Sequence, residues 1–350
     1  MPSCTRFSSA SKPVADSPAG IAARIERNWY RPVRHNLWLL LLWPLVALSV
    51  WLKRWRFLHH PPPANPVPVV VVGNITVGGT GKTPLITWLV ERARALGLQP
   101  AIVSRGYGGS SRHYPLAVTA ETPAAVCGDE PRLLQSRLNC PVVVDPQRRR
   151  AVAALAGQAD IIFSDDGLQH YAMARDAELA VVDGGRGFGN GWLLPLGPLR
   201  EPVSRLNSVD LTLVNGRDFH VRPLTLVNAV SGAVLALDQL AGQHVCAVAG
   251  IGNPQRFYDT LTVLGAELET HSFADHHRFT ASDFDFAQDF AGLLVMTEKD
   301  WVKCRAFART NWWYLQVSAV PEADIQARLD KLLSALVRPA IQQTEGHSHG

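Results

Sequence analysis

The sequence has few cysteines, and none of them has the spacing of a metal or redox motif. Five occur in 350 residues, at Cys4, Cys127, Cys140, Cys246 and Cys304, without a C-x-x-C pair. An odd number at wide spacing argues against a disulfide scaffold or a zinc cluster and is typical of a reducing compartment. The sequence also has no internal repeat, although it contains 27 glycines and 24 prolines. Fibrous and repeat architectures are therefore excluded.

Charged residues are scarce as well, at 18% of the chain against 47% hydrophobic residues. This composition is typical of a folded chain, and the length suits two domains or one large domain with additions. Residues 1–60 contain nine Lys or Arg and two acidic residues, whereas the remainder contains 25 basic and 28 acidic residues. A basic N-terminus on a slightly acidic body indicates a local anionic partner and not a nucleic-acid-binding domain.

An apolar run lies inside the basic N-terminal segment. Residues 37–52 (LWLLLLWPLVALSVWL) carry no charge and are flanked on both sides by arginine or lysine. The run is close to the minimum of about 17 residues that a transmembrane helix needs, and tryptophan and basic residues favour membrane interfaces. We therefore predict a membrane anchor or a short span, with a buried core helix as the alternative. Positive charge on both sides leaves the orientation open.

A phosphate-binding loop follows the proline-rich linker at residues 59–66. Residues 67–72 (VPVVVV) predict a buried parallel strand, residues 73–83 read GNITVGGTGKT, and a helical run extends over residues 84–96. Strand, glycine-rich turn, Lys-Thr and helix is the order of a P-loop, although Thr76 replaces the first glycine of the strict pattern. The predicted nucleotide-binding residues are Thr76, Val77, Gly78, Gly79, Thr80, Gly81, Lys82 and Thr83. Lys82 is expected to reach the β- and γ-phosphates and the Thr83 hydroxyl to ligate Mg²⁺.

Two acids follow a second apolar strand, in residues 159–167 (ADIIFSDDG). Ligands of open α/β sheets bind beyond the carboxyl ends of the strands, so Asp165 and Asp166 are candidates for the Mg²⁺ site. The sequence leaves open which of them is the direct ligand. A plain turn that ends the strand is the alternative.

Other polar clusters are weaker signals. Asp129, in a Gly-Asp-Glu-Pro segment, is a candidate general base, although a simple turn fits equally well. His276 and His277 form a dense cluster that a solvated loop also explains. Residues 184–202 are too rich in glycine and proline for a regular element and are a candidate substrate groove. In residues 297–300 (TEKD) the lysine stands one place too late for a guanine-binding motif, which favours ATP over GTP.

Further apolar strands alternate with helices along the chain, at residues 179–182, 211–214, 245–248, 293–296 and 313–317. This alternation predicts a P-loop NTPase-like α/β fold with a doubly wound, mostly parallel sheet. The expected organisation is a basic segment with a membrane helix (1–60), a P-loop kinase core (61–235), a smaller α/β lobe (236–337) and a disordered tail (338–350).

Several segments together resemble the tetraacyldisaccharide 4'-kinase family, the membrane-associated lipid A kinases of Gram-negative bacteria. They are residues 73–83, 104–108 (SRGYG), 128–131 (GDEP), 165–170 (DDGLQH), 189–202, 249–254 (AGIGNP), 275–277 (DHH) and 297–300. The resemblance covers about residues 28–337 in order, including the apolar segment. Threonine at the first P-loop position is usual in this family.

The resemblance implies roles for individual residues. Residues 76–83 hold the phosphates of ATP, Asp129 is the catalytic carboxylate assisted by His276, and Asp165 and Asp166 lie on the Mg²⁺ side. Arg105, Tyr107, Gln169 and His170 are implied on the substrate side. The implied reaction transfers the γ-phosphate of ATP to the 4'-hydroxyl of an acylated glucosamine disaccharide 1-phosphate, giving lipid IVA, at the cytoplasmic face of the inner membrane.

Two other functions compete with this interpretation. A membrane-tethered P-loop protein that uses nucleotide as a switch needs no base such as Asp129 or His276. A P-loop kinase of a soluble metabolite does not need residues 1–60. No nucleic acid partner is expected in any of these cases.

Overall fold

The computed structural model describes residues 29–30, 40–41 and 43–345, with side chains up to Val337. Most of the basic N-terminal segment and the last five residues of the predicted tail lie outside this description. The helices are α1 (Trp43–His59), α2 (Lys82–Ala95), α3 (Ala124–Cys127), α4 (Asp129–Leu138), α5 (Arg148–Ala154), α6 (Pro254–Val263), α7 (Glu298–Cys304) and α8 (Ala323–Glu345). Short 3₁₀ helices span Val203–Ser208, Leu237–Leu240, Ala281–Ala287 and Arg305–Phe307.

The strands form one large sheet. They are β1 (Val69–Gly73), β2 (Pro100–Ser104), β3 (Leu116–Ala117), β4 (Val142–Val144), β5 (Ile161–Asp165), β6 (Ala177–Asp183), β7 (Leu211–Asn215), β8 (Phe219–Asn228), β9 (Val234–Leu235), β10 (His244–Ala249), β11 (Glu267–Ser272), β12 (Leu293–Thr297) and β13 (Trp312–Pro321). Their order is β11-β10-β12-β13-β8-β7-β6-β1-β5-β2-β4-β3, with β9 beside β8. The predicted α/β class and mostly parallel sheet are confirmed.

Pairing is parallel except at three places. The β8–β13, β8–β9 and β3–β4 pairs are antiparallel. The long β8–β13 pair joins the strands of the two predicted lobes into one sheet. All five strands predicted between residues 179 and 317 lie within β6, β7, β10, β12 and β13.

The central strand β1 carries the phosphate-binding loop. It pairs in parallel with β5 on one side and β6 on the other, and every residue in it is buried. Val70 and Val72 pack on one face with Leu85 of α2, whereas Val69 and Val71 pack on the opposite face. Because both faces are covered, the strand is apolar without alternation, as parallel strands generally are.

Helix α1 lies at the surface, so the alternative of a buried core helix is wrong. None of its residues is buried. Trp43, Val46 and Ala47 pack against the core, and the opposite face exposes Leu45 and Leu48. Among the described helices, none combines the length and the apolar content needed to cross a membrane.

Helix α8 is longer than the sequence indicated. Leu329 and Leu333 are fully buried in the core and hold the helix against the sheet. The backbone remains helical from there to Glu345. The helix thus continues past Val337 into the segment for which the sequence predicted a disordered tail.

A buried charge network stabilises the region around β6. Glu178 accepts hydrogen bonds from Arg175 at 2.7 Å and from Arg205 at 2.5 Å. Removing one charge of a buried pair generally costs about 3–5 kcal/mol. We expect Glu178→Gln to lower the free energy of unfolding by roughly this amount, measured by urea denaturation. The matched control, Glu322→Gln, breaks an exposed pair with His220 and should cost less than about 1 kcal/mol. Equal effects of the two variants would contradict the prediction.

Candidate active site

The loop after β1 has the backbone that phosphate binding requires. Gly78 and Gly81 have φ angles of 103° and 96°, in the left-handed region that glycine adopts without strain. Gly81 directly precedes α2, so Lys82 and Thr83 form the first turn of that helix. Backbone N–H groups at a helix N-terminus, together with the helix dipole, favour an anion. The loop can therefore hold a phosphate chain.

Side chains from neighbouring elements fix the loop. Asn74 Nδ2 donates to the Gly78 carbonyl, and Asn215 Nδ2 of β7 donates to the Thr80 carbonyl, both at 3.3 Å. A side chain at Gly81 would place its Cβ 2.8 Å from the same Asn215 amide. The loop is therefore closely packed against the end of β7.

The glycine- and proline-rich residues 184–202 also pack on this loop. The Val77 N–H donates to the Pro198 carbonyl at 2.9 Å, and the Arg200 N–H donates to the Ile75 carbonyl at 2.7 Å. The segment that the sequence predicted as a groove is thus one wall of the phosphate site.

Lys82 and Arg200 both contact Asp166. Lys82 Nζ lies 3.4 Å from Asp166 Oδ1, and Arg200 Nη1 lies 2.7 Å from Asp166 Oδ2. Burial opposes ionisation of this carboxyl, but the two cations outweigh burial and hold the pKa of Asp166 well below its usual range. Asp166 therefore carries a full negative charge beside the P-loop lysine.

Asp165 has a different environment. Burial, with the negative charges of Glu130 and Asp166, raises the pKa of Asp165 to about 7. Ser104 donates to its Oδ2 at 3.3 Å, and its Oδ1 is buried without a partner among the described residues. An unsatisfied buried oxygen of this kind is what a bound cation would satisfy.

The donor set fits Mg²⁺. Mg²⁺ prefers oxygen ligands and usually takes one or two carboxylates together with substrate phosphates. Thr83, Asp165 and Asp166 offer such oxygens beside the loop. In the described part of the chain, no group of three or more His, Cys, Asp or Glu side chains forms a metal cluster, so the phosphates would supply the remaining ligands.

Asp129 and His276 meet across the site. Asp129 begins α4, and its Oδ2 lies 3.2 Å from His276 Nδ1. His276 has a φ angle of 58°, and its ring packs edge to face against Tyr107 at a centroid distance of 5.4 Å. His277 instead pairs with Asp283 at 3.2 Å. Of the two adjacent histidines, His276 is therefore the one that contacts Asp129.

Residues 297–300 join parts of the molecule that are far apart in the sequence. Lys299 Nζ lies 2.9 Å from Glu130 Oε1, and Asp300 accepts a hydrogen bond from the Gly250 N–H at 2.9 Å. Lys299 lowers the pKa of Glu130. Sequence reasoning missed Glu130, Lys299 and Arg200 as site residues, although Glu130 is adjacent to Asp129.

The substrate-side candidates are only partly brought together. Gln169 Nε2 donates to the Asn74 carbonyl at 3.0 Å, and its amide oxygen accepts from Arg200 at 3.4 Å. His170 is the next residue in the sequence. Arg105 is exposed at the end of β2 and has no hydrogen bond or ion pair to any described residue. Tyr107 is also exposed, beside His276.

The position of His170 predicts a pH dependence of stability. Burial, with the positive charges of Arg148 and Arg175, lowers the pKa of His170 from 6.5 to about 4. The unfolded chain therefore binds more protons between these two values, and stability is lost as pH falls through this window. We expect His170→Gln to lose less stability than the wild type between pH 7.5 and pH 5, measured by urea denaturation. Parallel losses in both proteins would contradict this.

The site combines three features of a P-loop phosphotransferase. They are a phosphate-binding loop with its lysine, two acids at the end of the adjacent strand, and an Asp–His pair opposite them. The model of the family described as tetraacyldisaccharide-1-P 4'-kinase matches residues 36–334. The chain therefore belongs to the tetraacyldisaccharide-1-P 4'-kinase family.

Similar proteins span almost the whole chain. The tetraacyldisaccharide 4'-kinase of Pseudomonas fluorescens is 52% identical over 91% of this chain and 98% of its own length. The corresponding Vibrio cholerae enzyme is 48% identical over 88% and 96%. The crystal structure of LpxK from Aquifex aeolicus in complex with ATP has a TM-score of 0.74 and is 24% identical, covering 85% of this chain and 98% of that one. This last similarity shows that the fold is shared.

Proposed function

We propose that this chain transfers the γ-phosphate of ATP to the 4'-hydroxyl of a tetraacylated glucosamine disaccharide 1-phosphate. The chain is a kinase of lipid A biosynthesis, as its family membership and its relatives at about half identity indicate. The observation that carries the mechanism is the Asp129–His276 pair, 3.2 Å apart, on the acceptor side of the P-loop. A nucleotide switch does not require such a pair.

The residues divide the chemistry between them. The N–H groups of residues 76–83 and the Lys82 ammonium bind the phosphates and neutralise the transferring charge. Asp129 accepts the proton of the attacking 4'-hydroxyl, and His276 holds the carboxylate in position. Thr83, with Asp165 or Asp166, would hold Mg²⁺, which neutralises phosphate charge when bound.

The lipid side of the site adjoins helix α1. A cavity of about 410 Å³ lies between α1 and residues 193–205, and its wall includes Trp43, Ala47 and Leu193. Glu201 also lines it, and the neighbouring Arg200 pairs with Asp166. The cavity therefore suits an acyl chain whose sugar reaches the P-loop. Arg105, Tyr107, Gln169 and His170 bind the polar part of the same lipid.

The exposed face of α1 binds the inner membrane from the cytoplasmic side. Large apolar side chains recur along it at helical spacing and are roughly half exposed or more: Leu45, Leu48, Trp51, Leu52 and Leu58. Lys53 and Arg56, on the same helix, favour anionic headgroups. The acyl chains thus remain in the bilayer while the sugar enters the site.

A direct assay tests the function. Purified protein is incubated in detergent with labelled ATP, Mg²⁺ and the disaccharide lipid, and the lipid is examined for label. We expect a product with one added phosphate at the 4' position. Label on a soluble sugar alone would favour the soluble-metabolite kinase, and nucleotide binding without any labelled acceptor would favour the switch protein.

The membrane contact makes a separate prediction. We expect Leu48→Gln with Leu52→Gln to weaken binding to anionic vesicles at least about tenfold, because burying the exposed half of each leucine contributes about 1 kcal/mol. Vesicle flotation measures the effect. The matched control, Val234→Gln with Val263→Gln, changes two valines that are exposed elsewhere on the protein and should leave binding unchanged. If both double variants bind alike, α1 is not the membrane contact.

A further inference from the structure

Arg186 extends from the wall of the site over the phosphate-binding loop. It follows β6, where Asp183 Oδ1 accepts hydrogen bonds from the Gly185 N–H at 2.9 Å and the Arg186 N–H at 3.1 Å. Its guanidinium comes so close to the loop that a Cβ at Gly78 would lie 3.1 Å from Arg186 Nη1. The backbone of the arginine is thus fixed while its charged end lies above the glycine-rich turn.

Four other cations near the loop are already compensated by the protein. Lys82 and Arg200 share Asp166, and Lys299 pairs with Glu130. Arg148 donates to the main-chain carbonyls of Asp165 and Asp166 at 2.7 and 2.9 Å. These groups are held in place by acids or carbonyls before any nucleotide arrives.

Arg186 differs from them. Its Nη2 donates to the Gly252 carbonyl at 3.4 Å, a long hydrogen bond, and its guanidinium carbon lies 6.0 Å from the centroid of the Tyr30 ring. Within the described residues, no carboxylate oxygen lies within ion-pair distance of its guanidinium. A planar cation with free donors at a phosphate site is suited to bind phosphoryl oxygens.

The contact with Gly252 places Arg186 between the phosphate-binding loop and the turn that carries His276. A Cβ at Gly252 would lie 3.1 Å from Asp275 Oδ2, and Asp275 Oδ1 accepts the N–H of His276 at 3.0 Å. His276 in turn contacts the base Asp129. One end of the guanidinium therefore lies near the P-loop and the other contacts the turn beside the Asp129–His276 pair.

We propose that Arg186 is a catalytic arginine, supplied by the same chain, that binds the γ-phosphoryl group during transfer. This inference rests on the proposed kinase function. In the transfer, the bond between the γ-phosphorus and the β–γ bridging oxygen breaks, and the bond to the 4'-oxygen forms. ADP leaves with the bridging oxygen, and the hydroxyl proton moves to Asp129. Negative charge on the bridging and phosphoryl oxygens is then neutralised by the Arg186 N–H groups.

The test compares Arg186→Ala and Arg186→Lys with the control Arg256→Ala. Arg256 is half exposed, and its guanidinium lies 3.6 Å from Asp183. The control substitution therefore removes a nearby guanidinium that lies outside the phosphate site. We expect both Arg186 variants to lower kcat by about 10²–10³ while the KM for ATP changes by less than about threefold. Lysine is not expected to substitute, because it lacks the planar fork. Added guanidinium ion should partly restore kcat in Arg186→Ala only.

Other outcomes would overturn the inference. An unchanged kcat in Arg186→Lys and Arg186→Ala, or an increased KM for ATP at constant kcat, would make Arg186 a bystander or a ground-state binding residue. Thermal unfolding and ATP affinity show whether each variant is folded. If Arg186→Ala does not fold, the kcat of Arg186→Lys tests the proposal. If the wild type fails to phosphorylate the lipid, the proposed function fails, and this inference falls with it.

Discussion

Lys82→Ala is expected to lower kcat for lipid phosphorylation by at least about 10²–10³, because it removes a cation aimed at the transferring phosphate. Lys82 is the first residue of α2, and its Nζ lies 3.4 Å from Asp166 Oδ1. Arg200 remains bound to the other oxygen of Asp166 at 2.7 Å, so the carboxylate keeps one partner and the fold should survive. The measurement is steady-state transfer from labelled ATP to the lipid.

A control on the same helix tests whether the loss of any paired cation lowers kcat, or only the loss of the cation at the phosphate-binding loop. Arg92 lies in α2 and pairs with Asp330 of α8 at 2.6 Å. Arg92→Ala should leave kcat within about twofold, because the partly exposed pair affects only stability, by at most about 1 kcal/mol. Retention of more than about a tenth of wild-type kcat in Lys82→Ala would refute the P-loop assignment.

The phosphate-binding loop could be predicted because all of its parts are adjacent in the sequence. A run of valines, a glycine-rich turn and Lys82-Thr83 fall within fifteen residues, 69–83, and local conformation dictates their arrangement. Left-handed φ angles at Gly78 and Gly81 need glycine whatever the rest of the chain does. The strands behind the loop were predictable for the same reason, since an uninterrupted apolar run indicates a strand covered on both faces.

The other half of the site depends on distant residues and could not be derived from local pattern. Asp129 and His276 are separated by 147 residues, and Glu130 and Lys299 by 169. Nothing in the sequence near Asp129 distinguishes a general base from a turn residue. The family resemblance suggested the Asp129–His276 pair, whereas the Glu130–Lys299 pair appeared only with the structure.

For helix α1, the sequence could not predict which face packs on the protein. Residues 37–52 are apolar on every side, so the sequence could not separate the face that packs on the protein from any face that meets lipid. In the structure Trp43 and Val46 contact the core, while Leu45 and Leu48 point away from it. Both faces are made of the same residue types, and only the position of the core distinguishes them.

The second large effect is expected for Asp129→Asn, which should lower kcat by about 10²–10⁴ with little change in the KM for ATP. A base acts on the attacking hydroxyl in the transition state and has no part in nucleotide binding. Asparagine keeps the size of the side chain and its contact with His276 but cannot accept the proton. Transfer to the lipid and ATP affinity, measured on the same preparation, separate the two effects.

The chain supplies a matched control in the neighbouring carboxylate–histidine pair. Asp283 lies 3.2 Å from His277, the same separation as between Asp129 and His276. Asp283 also caps the 3₁₀ helix at Ala281–Ala287, so Asp283→Asn should lower stability by about 0.5–2 kcal/mol and leave kcat nearly unchanged. If Asp129→Asn instead weakened ATP binding at constant kcat, Asp129 would be a binding residue. Because both pairs join a carboxylate to a histidine at the same distance, a loss of kcat in Asp129→Asn alone would show that the position of Asp129 beside the phosphate-binding loop matters, and not the pair as such.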